Sequence, residues 1–314
     1  MTGRAVVVVG AGVIGTRQLH AVLHAGDRVV AVVDGDLDRA TALAAESGAS
    51  AFTSLPAAVA AVGADAVIIA TPSASHLRLA LDAVQLGCDV LVEKPHRVPG
   101  EDAGALATAL ERTGRHFAVG MTTRHWPGVR ALAAALAAGE FGELLSYTDT
   151  MHFQLGPDDL PGWYFNRAVS GGGVLLTNGV HAIDRARALL GEPLELLHAR
   201  LRTVFPEHET EDSAELVLTT DSGAPVLLSM LWSPVAATGA GVAVTGTRGF
   251  GRVAMDGSWS IRTDAGERSG PAIDADEPFA AQWLSFRDAE PGFGLGDLEP
   301  TLQMIENCYR EVAA

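Results

Sequence analysis

Lys94 is the only lysine in a chain of 314 residues that also holds 21 arginines, and it stands in Glu93-Lys94-Pro95 straight after the apolar run Val90-Leu91-Val92. Arginine stays protonated at any working pH, whereas burial can tune a lysine to give and take a proton. A titratable cation kept at one position is a candidate for proton transfer or for steadying a developing negative charge. Position alone reads equally well as the survivor of a composition bias.

A second set of residues lies near the amino terminus. Gly10-Ala11-Gly12-Val13-Ile14-Gly15 has the spacing of a dinucleotide-binding loop. The first glycine of such a loop permits a tight turn, the second lets a pyrophosphate approach the backbone, and the third allows helix to pack on strand. Asp34 follows 19 residues after Gly15. A carboxylate there can accept both ribose hydroxyls and would repel a 2′-phosphate, so NAD is expected and NADP is less favoured. Arg39, five residues further on, has the reach to stack on adenine or to meet a phosphate.

These residues need elements to hold them. Ala5–Val9 is a continuous β-branched run, the pattern of a strand covered on both faces, and the glycine loop follows it at once. A helix with Leu19, Val22 and Leu23 on one face comes next, then a strand over Arg28–Val33 ending in Asp34. Strands are expected again at 66–70, 89–92 and 116–120, with helices over about 75–86 and 100–112. In a doubly wound sheet ligands gather beyond the carboxyl ends of the strands. Thr71-Pro72, Glu93-Lys94 and Thr122-Thr123-Arg124 should therefore line one crevice, with His76 close to it.

Length and composition set the frame. With 48% apolar residues the chain can bury a large core, and 314 residues exceed what a single core of roughly 250 usually reaches. Two domains are expected, over 1–122 and 123–314. A net charge of −16 argues against a nucleic-acid partner. The first ten residues read as neither a signal peptide nor a membrane span, so no membrane partner is expected. Two cysteines, Cys88 and Cys308, are too few for a disulfide framework and suggest buried small hydrophobes in a reducing cytoplasm.

The second half changes character. A strand is expected over 143–153, then Trp163-Tyr164-Phe165-Asn166-Arg167, three glycines, and a helix from about Val174 to Leu190 stopped by Gly191 and Pro193. Short alternating runs from Leu194 to Arg262 read as a sheet of about six strands whose free face suggests a homodimer or homotetramer. A final helix near 299–312 is expected to pack back on the first domain. The acidic stretch from Glu207 to Asp212 reads as a solvated loop. His20 and His24 have the spacing of zinc ligands but no third ligand nearby, so no metal site is assigned.

The glycine loop, Thr71-Pro72 with His76, Glu93-Lys94-Pro95, Val119-Gly120 with Arg124 and Pro127, Ser170-Gly171-Gly172-Gly173, and Gly179-Val180-His181 with Asp184 occur in an order that spans nearly the whole chain. In these features the chain resembles the glucose-fructose oxidoreductase, inositol dehydrogenase and rhizopine catabolism family of NAD(P)-dependent sugar and cyclitol oxidoreductases. The resemblance implies an α/β fold: a Rossmann domain, then an α+β domain on an open, mainly antiparallel sheet, with substrate held between them. It implies oxidation of a secondary alcohol, or reduction of a ketone, in a sugar, cyclitol or related polyol.

It also carries the proton chemistry onto Lys94 and His181, and a cis peptide onto Pro95. The family's aspartate, four residues before the histidine, falls on Thr177, which can orient or relay a proton but does not take one at neutral pH. Asn178 follows it. Arg124, Trp163, Tyr164, Arg167, Asn178 and His181 are the substrate-side candidates, where aromatic faces and hydrogen-bond donors suit a sugar ring. The loss of the aspartate keeps a catalytically silent, dinucleotide-binding regulator in view. Redox chemistry on an imine or enone, or by redox-assisted elimination, also stays open.

Overall fold

A computed structural model describes residues 3–156, 159–205, 208–235 and 239–313. The chain divides into two compact units, one of 1–122 with 275–299 and one of 123–274 with 300–314.

In the first unit the elements run β1 (Ala5–Val9), α1 (Val13–His24), β2 (Arg28–Val33), α2 (Leu37–Ala45), β3 (Ser50–Phe52), α3 (Leu55–Val62), β4 (Ala66–Ile69), α4 (His76–Gln85), β5 (Asp89–Glu93), α5 (Gly104–Thr113) and β6 (Phe117–Gly120). All six strands are parallel in the order β3-β2-β1-β4-β5-β6. The order reverses direction at β1 and β4, which makes their carboxyl ends the switch point of the sheet. β1 and β4 are buried on both faces, as a covered parallel strand requires.

Helix α5 starts at Gly104, later than expected, because Asp102 Oδ1 accepts from the Gly104 amide at 2.8 Å and ends the preceding turn. Segment 275–299 completes this unit with α9 (Glu277–Arg287), whose Phe279, Trp283 and Phe286 join the core of Val6, Leu19, Val22, Val32 and Leu91. Trp283 Nε1 donates to Asp27 Oδ2 at 2.9 Å, so the largest side chain of that core brings its polar atom to a partner.

The second unit begins with α6 (Pro127–Ala137) and β7 (Leu144–Gln154), then α7 (Arg167–Ser170), a π-helical turn over Leu175–Gly179, and α8 (Val180–Leu190). Seven strands follow: β8 (Leu194–Arg202), β9 (Ser213–Thr220), β10 (Pro225–Ser233), β11 (Gly239–Gly246), β12 (Gly249–Ala254), β13 (Trp259–Thr263) and β14 (Gly266–Gly270). With β7 they form one eight-stranded sheet, ordered β14-β13-β12-β11-β7-β10-β9-β8. Its pairings are antiparallel except that of β10 with β7.

The expected six strands are present between Leu194 and Thr263. The sheet also takes in β7, near its centre, and β14, whose Gly-Glu-Arg-Ser-Gly has no apolar residue to announce it. One face of the sheet holds Tyr147, Met151, Val226, Leu228, Met230, Leu216 and Val244, all buried. Within this face Arg185 of α8 pairs with Asp149 of β7 at 2.8 Å, both almost fully buried. Removing one member of such a pair strands a buried charge, at a cost of about 3–5 kcal/mol.

The last helix, α10 (Leu295–Ala313), departs from expectation. From Pro300 it folds with the second unit, and the helix that returns to the first unit is α9. The periodic apolar residues Leu302 and Ile305 are buried as expected, but periodicity states that a face is covered and not which domain covers it. No helix among the described residues is long and apolar enough to cross a membrane.

Candidate active site

In the first unit the expected residues collect beyond the carboxyl ends of β1, β2, β4 and β5. Gly10 has φ +104°, and a Cβ there would lie 2.4 Å from the Ala70 carbonyl oxygen. A Cβ on Gly15 would lie 1.8 Å from the Gly10 oxygen, so both glycines are required by the backbone itself. Gly12 differs: a Cβ there would meet nothing within 4 Å. The loop leaves open space at the one glycine whose expected role is to admit a ligand. Val13, exposed, and Ile14, half-buried, begin α1 beside it.

Asp34 Oδ2 accepts from the Ala11 amide at 2.8 Å, which ties the end of β2 to the glycine loop. Its Oδ1 accepts from the Asp36 amide at 2.9 Å and from Arg39 Nη2 at 2.8 Å. Burial pushes this carboxyl up, but the Ala11 and Asp36 amides and the Arg39 guanidinium outweigh it and hold it below its ordinary value. Arg39 is thus engaged by the carboxylate that stands at the ribose position of such folds.

Thr71 follows β4, and its hydroxyl shares a 2.7 Å hydrogen bond with Ser75. His76 is buried, with Nε2 2.7 Å from the Thr71 carbonyl and Nδ1 2.7 Å from the Pro95 carbonyl. Its ring clasps the turn after β4 to the turn after β5, and burial lowers its basicity. Glu93 ends β5, Lys94 follows it, and the Lys94–Pro95 peptide is cis, as the resemblance implied. Burial pushes the Lys94 ammonium below its ordinary value, only partly offset by the Glu93 carboxylate. Beyond Pro95, His96 and Arg97 are buried and both pair with Glu299. The His96 ring, 3.4 Å away, and then the Arg97 guanidinium, against burial, hold the Glu299 carboxyl down at about 2.

In the second unit, the π-helical turn and α8 present Thr177, Asn178 and His181. Such turns are rare and concentrate at functional positions. Thr177 and Asn178 are half-buried and His181 is buried. His181 Nδ1 lies 3.4 Å from Thr123 Oγ1, a contact that no sequence signal announced. Asn178 Oδ1 accepts from Trp232 Nε1 at 2.8 Å, which orients its amide from the neighbouring strand β10.

The arginines nominated for substrate are engaged within the protein. Arg124 Nε donates to the fully buried Asp184 at 2.6 Å. Arg167 Nη2 donates to the Glu209 carbonyl at 3.1 Å and its guanidinium lies 5.8 Å over the Tyr309 ring. Trp163 and Tyr164 stack on each other with ring centroids 3.9 Å apart.

The acidic stretch before β9 is not a solvated loop. Glu207 lies outside the described residues, but Thr210, Glu211 and Asp212 are buried. Glu211 Oε1 accepts from the Gly173 and Leu175 amides at 2.9 and 3.1 Å and from the Tyr309 hydroxyl at 2.8 Å. The three-glycine run explains how this backbone comes so close: a Cβ on Gly173 would lie 1.9 Å from the Glu211 carbonyl oxygen. Glu211 therefore anchors the start of the segment that holds Thr177 and His181. Elsewhere His20 pairs with Glu46 at 2.8 Å, and both cysteines are buried.

Comparison with known proteins supplies the wider context. Residues 4–121 match the model of the oxidoreductase family with an NAD-binding Rossmann fold, and residues 129–251 match the GFO/IDH/MocA C-terminal domain. Inositol 2-dehydrogenase of Rhizobium meliloti (strain 1021) is 30% identical over 227 residues, 71% of this chain and 67% of that protein. D-glucoside 3-dehydrogenase of Escherichia coli (strain K12) is 30% identical over 60% of this chain, and the match spans 54% of the relative's length. The crystal structure of aldose-aldose oxidoreductase from Caulobacter crescentus superposes with a TM-score of 0.88 over 99% of this chain and 98% of that one, at 22% identity, a likeness of fold. Both halves of the sequence thus match one family in the order its members share, and the chain belongs to the GFO/IDH/MocA oxidoreductases.

Proposed function

We propose that this chain is an NAD-dependent oxidoreductase that exchanges hydride with a secondary alcohol or ketone of a sugar, cyclitol or related polyol. The observation that carries this reading is the pairing of a cradle fit for a dinucleotide with a lone, half-buried lysine of lowered proton affinity. Gly10, Gly12, Val13, Ile14 and Gly15 would hold the pyrophosphate, Asp34 with Arg39 the adenosine ribose, and Thr71, Pro72 and Glu93 the nicotinamide side. When bound, NAD supplies the hydride acceptor, and NADH the donor.

The chain's own groups manage the proton. Lys94 takes up the hydroxyl proton in oxidation and, so protonated, steadies the substrate oxygen as charge develops on it, because a cation aimed at an alkoxide in a dry site is worth far more than in water. His181 passes that proton on in oxidation and returns it in reduction, and Thr177 orients or relays it. Asn178, Trp163 and Tyr164 serve recognition, whereas Arg124 and Arg167 act through Asp184 and Glu209. A reducing, cytoplasmic compartment fits two buried, unpaired cysteines.

The purified protein, given NADH with keto sugars and ketocyclitols or NAD with the corresponding alcohols, is expected to change the nicotinamide absorbance with at least one substrate. Silence across the panel with tight NADH binding intact would overturn the enzymatic reading in favour of the regulator that Thr177 keeps in view.

The open face of the second sheet supports assembly. Leu227 of β10 and Val217 of β9 are paired in register and exposed, and Phe250 of β12 is exposed as well. We propose that this face joins a second copy of the chain. Light scattering at micromolar concentration should give at least twice the chain mass for the native protein and the single-chain mass for Leu227→Glu. A native monomer would sink the idea.

A further inference from the structure

Around Glu93, the neighbour of Lys94 in the chain, lies a buried polar cluster whose glutamines neither the sequence reading nor the proposed chemistry has used. Glu93, the last residue of β5, is 8% exposed, and its Oε1 accepts from Gln18 Nε2 of α1 at 2.5 Å. Gln18 is fully buried and Gln282 of α9 is 2% exposed. A Cβ on Gly120 would approach both the Glu93 carboxylate and Gln282 Nε2 to 3.1 Å, so β6 carries glycine where these two side chains meet. Gln18 Oε1 and both amide atoms of Gln282 have no hydrogen-bond partner of good geometry. Two glutamines from elements far apart in the chain are buried against one carboxylate, with little else to bond.

The chemistry of the neighbours explains why they are kept. A carboxylate taken out of water reverts to its neutral form unless donors hold its charge. Burial pushes the Glu93 carboxyl above its ordinary value; against this work Lys94, the cation beside it, Gln18, which supplies a direct amide bond, and Gln282, which brings a second amide dipole to the same carboxylate. In return the ionised Glu93 favours the protonated form of Lys94. The other titratable neighbour is His76, whose buried ring is disfavoured as a cation by Lys94.

We infer that Gln18 and Gln282 are positioning residues that act through Glu93: by holding its carboxylate ionised they set the pH at which the chain's only lysine gives up its proton. This deepens the role proposed for Lys94 and rests on it. Both glutamines are buried, and they gather at Glu93. With either amide gone, Glu93 takes up a proton, Lys94 loses its negative neighbour, and its proton leaves at lower pH.

The single lysine makes the test direct. Protein grown with ε-labelled lysine has one side-chain signal, whose NMR titration reports Lys94 without any substrate, so this inference can fail while the enzymatic reading stands. Gln18→Met and Gln282→Met keep side-chain volume and remove the amide on different elements. Either is a sufficient test if the other does not fold. Each is expected to lower the Lys94 midpoint by about one pH unit, as Glu93→Gln does. Because all act through one carboxylate, Glu93→Gln with Gln18→Met should go no lower than Glu93→Gln alone. A midpoint unmoved in the folded methionine variants, or fully additive shifts in the double variant, would overturn the assignment.

Discussion

The Lys94→Arg protein is expected to bind NADH as the native protein does and to turn over its alcohol about 10³-fold more slowly, within the 10²–10⁴ range that a positioned acid or base supplies. The substitution keeps a positive charge and removes only the ability to titrate. Guanidinium stays charged at any working pH, and its planar fork does not place a point charge where an ammonium stood. Burial has already moved Lys94 below its ordinary value of 10.5. The sign follows: as a group whose neutral form is favoured by its site, Lys94 loses its proton at lower pH than a free lysine. In the native protein, alcohol oxidation should rise toward alkaline pH with a limb below 10.5, and this limb should be missing in Lys94→Arg. Steady-state kinetics over pH, with NADH binding by fluorescence, checks both. Near-native turnover in the arginine variant would show that plain charge suffices and that Lys94 moves no proton.

What the sequence disclosed about this site followed from local physics. Gly15 is dictated by a contact five residues away, and β1 and β4 by burial on both faces, so most of the Rossmann half was legible; Gly10 answers to Ala70, 60 positions on, and the three-residue β3 was not read. The second half was legible in outline because alternation marks a half-covered strand, and it failed at β14, which has no apolar residue to alternate.

The misreadings share a cause, which is that burial of polar residues depends on distant partners. Glu211 and Asp212 sit in an acidic run that composition assigns to solvent, yet Glu211 is buried because glycines 38 residues earlier open a place for it and Tyr309 meets it from α10. Gln18 and Gln282 lie 264 positions apart and gain meaning only when α9 folds onto the first sheet. Arg124 could be read as a substrate ligand or as a structural ion pair, and its partner Asp184, 60 residues away, could not be named from the sequence. Residues of this kind carry no spacing that a single sequence reveals.

His181→Asn is expected to lower turnover by about 10²–10⁴-fold, the range for loss of a general acid or base, while NADH affinity stays close to native. Asparagine preserves a polar side chain toward Thr123, whose hydroxyl lies 3.4 Å from the imidazole, but it cannot exchange a proton. The family pattern would add a carboxylate at position 177, and this chain holds threonine there, so in the proposed chemistry Lys94 and His181 would divide between two groups what the family pattern assigns to three. That division makes the double variant informative. If the two residues serve one proton transfer, Lys94→Arg with His181→Asn should be scarcely slower than the worse single variant, because a relay broken once is already broken. Multiplying effects would mean two independent roles, with Lys94 steadying the oxygen and His181 moving the proton. Thr177→Asp tests the same site from the other side. A carboxylate within reach of an imidazole favours its charged form, so the pH limb that disappears in His181→Asn should move to higher pH in Thr177→Asp. A limb that survives the loss of His181, or does not respond to the new carboxylate, removes His181 from the proton path.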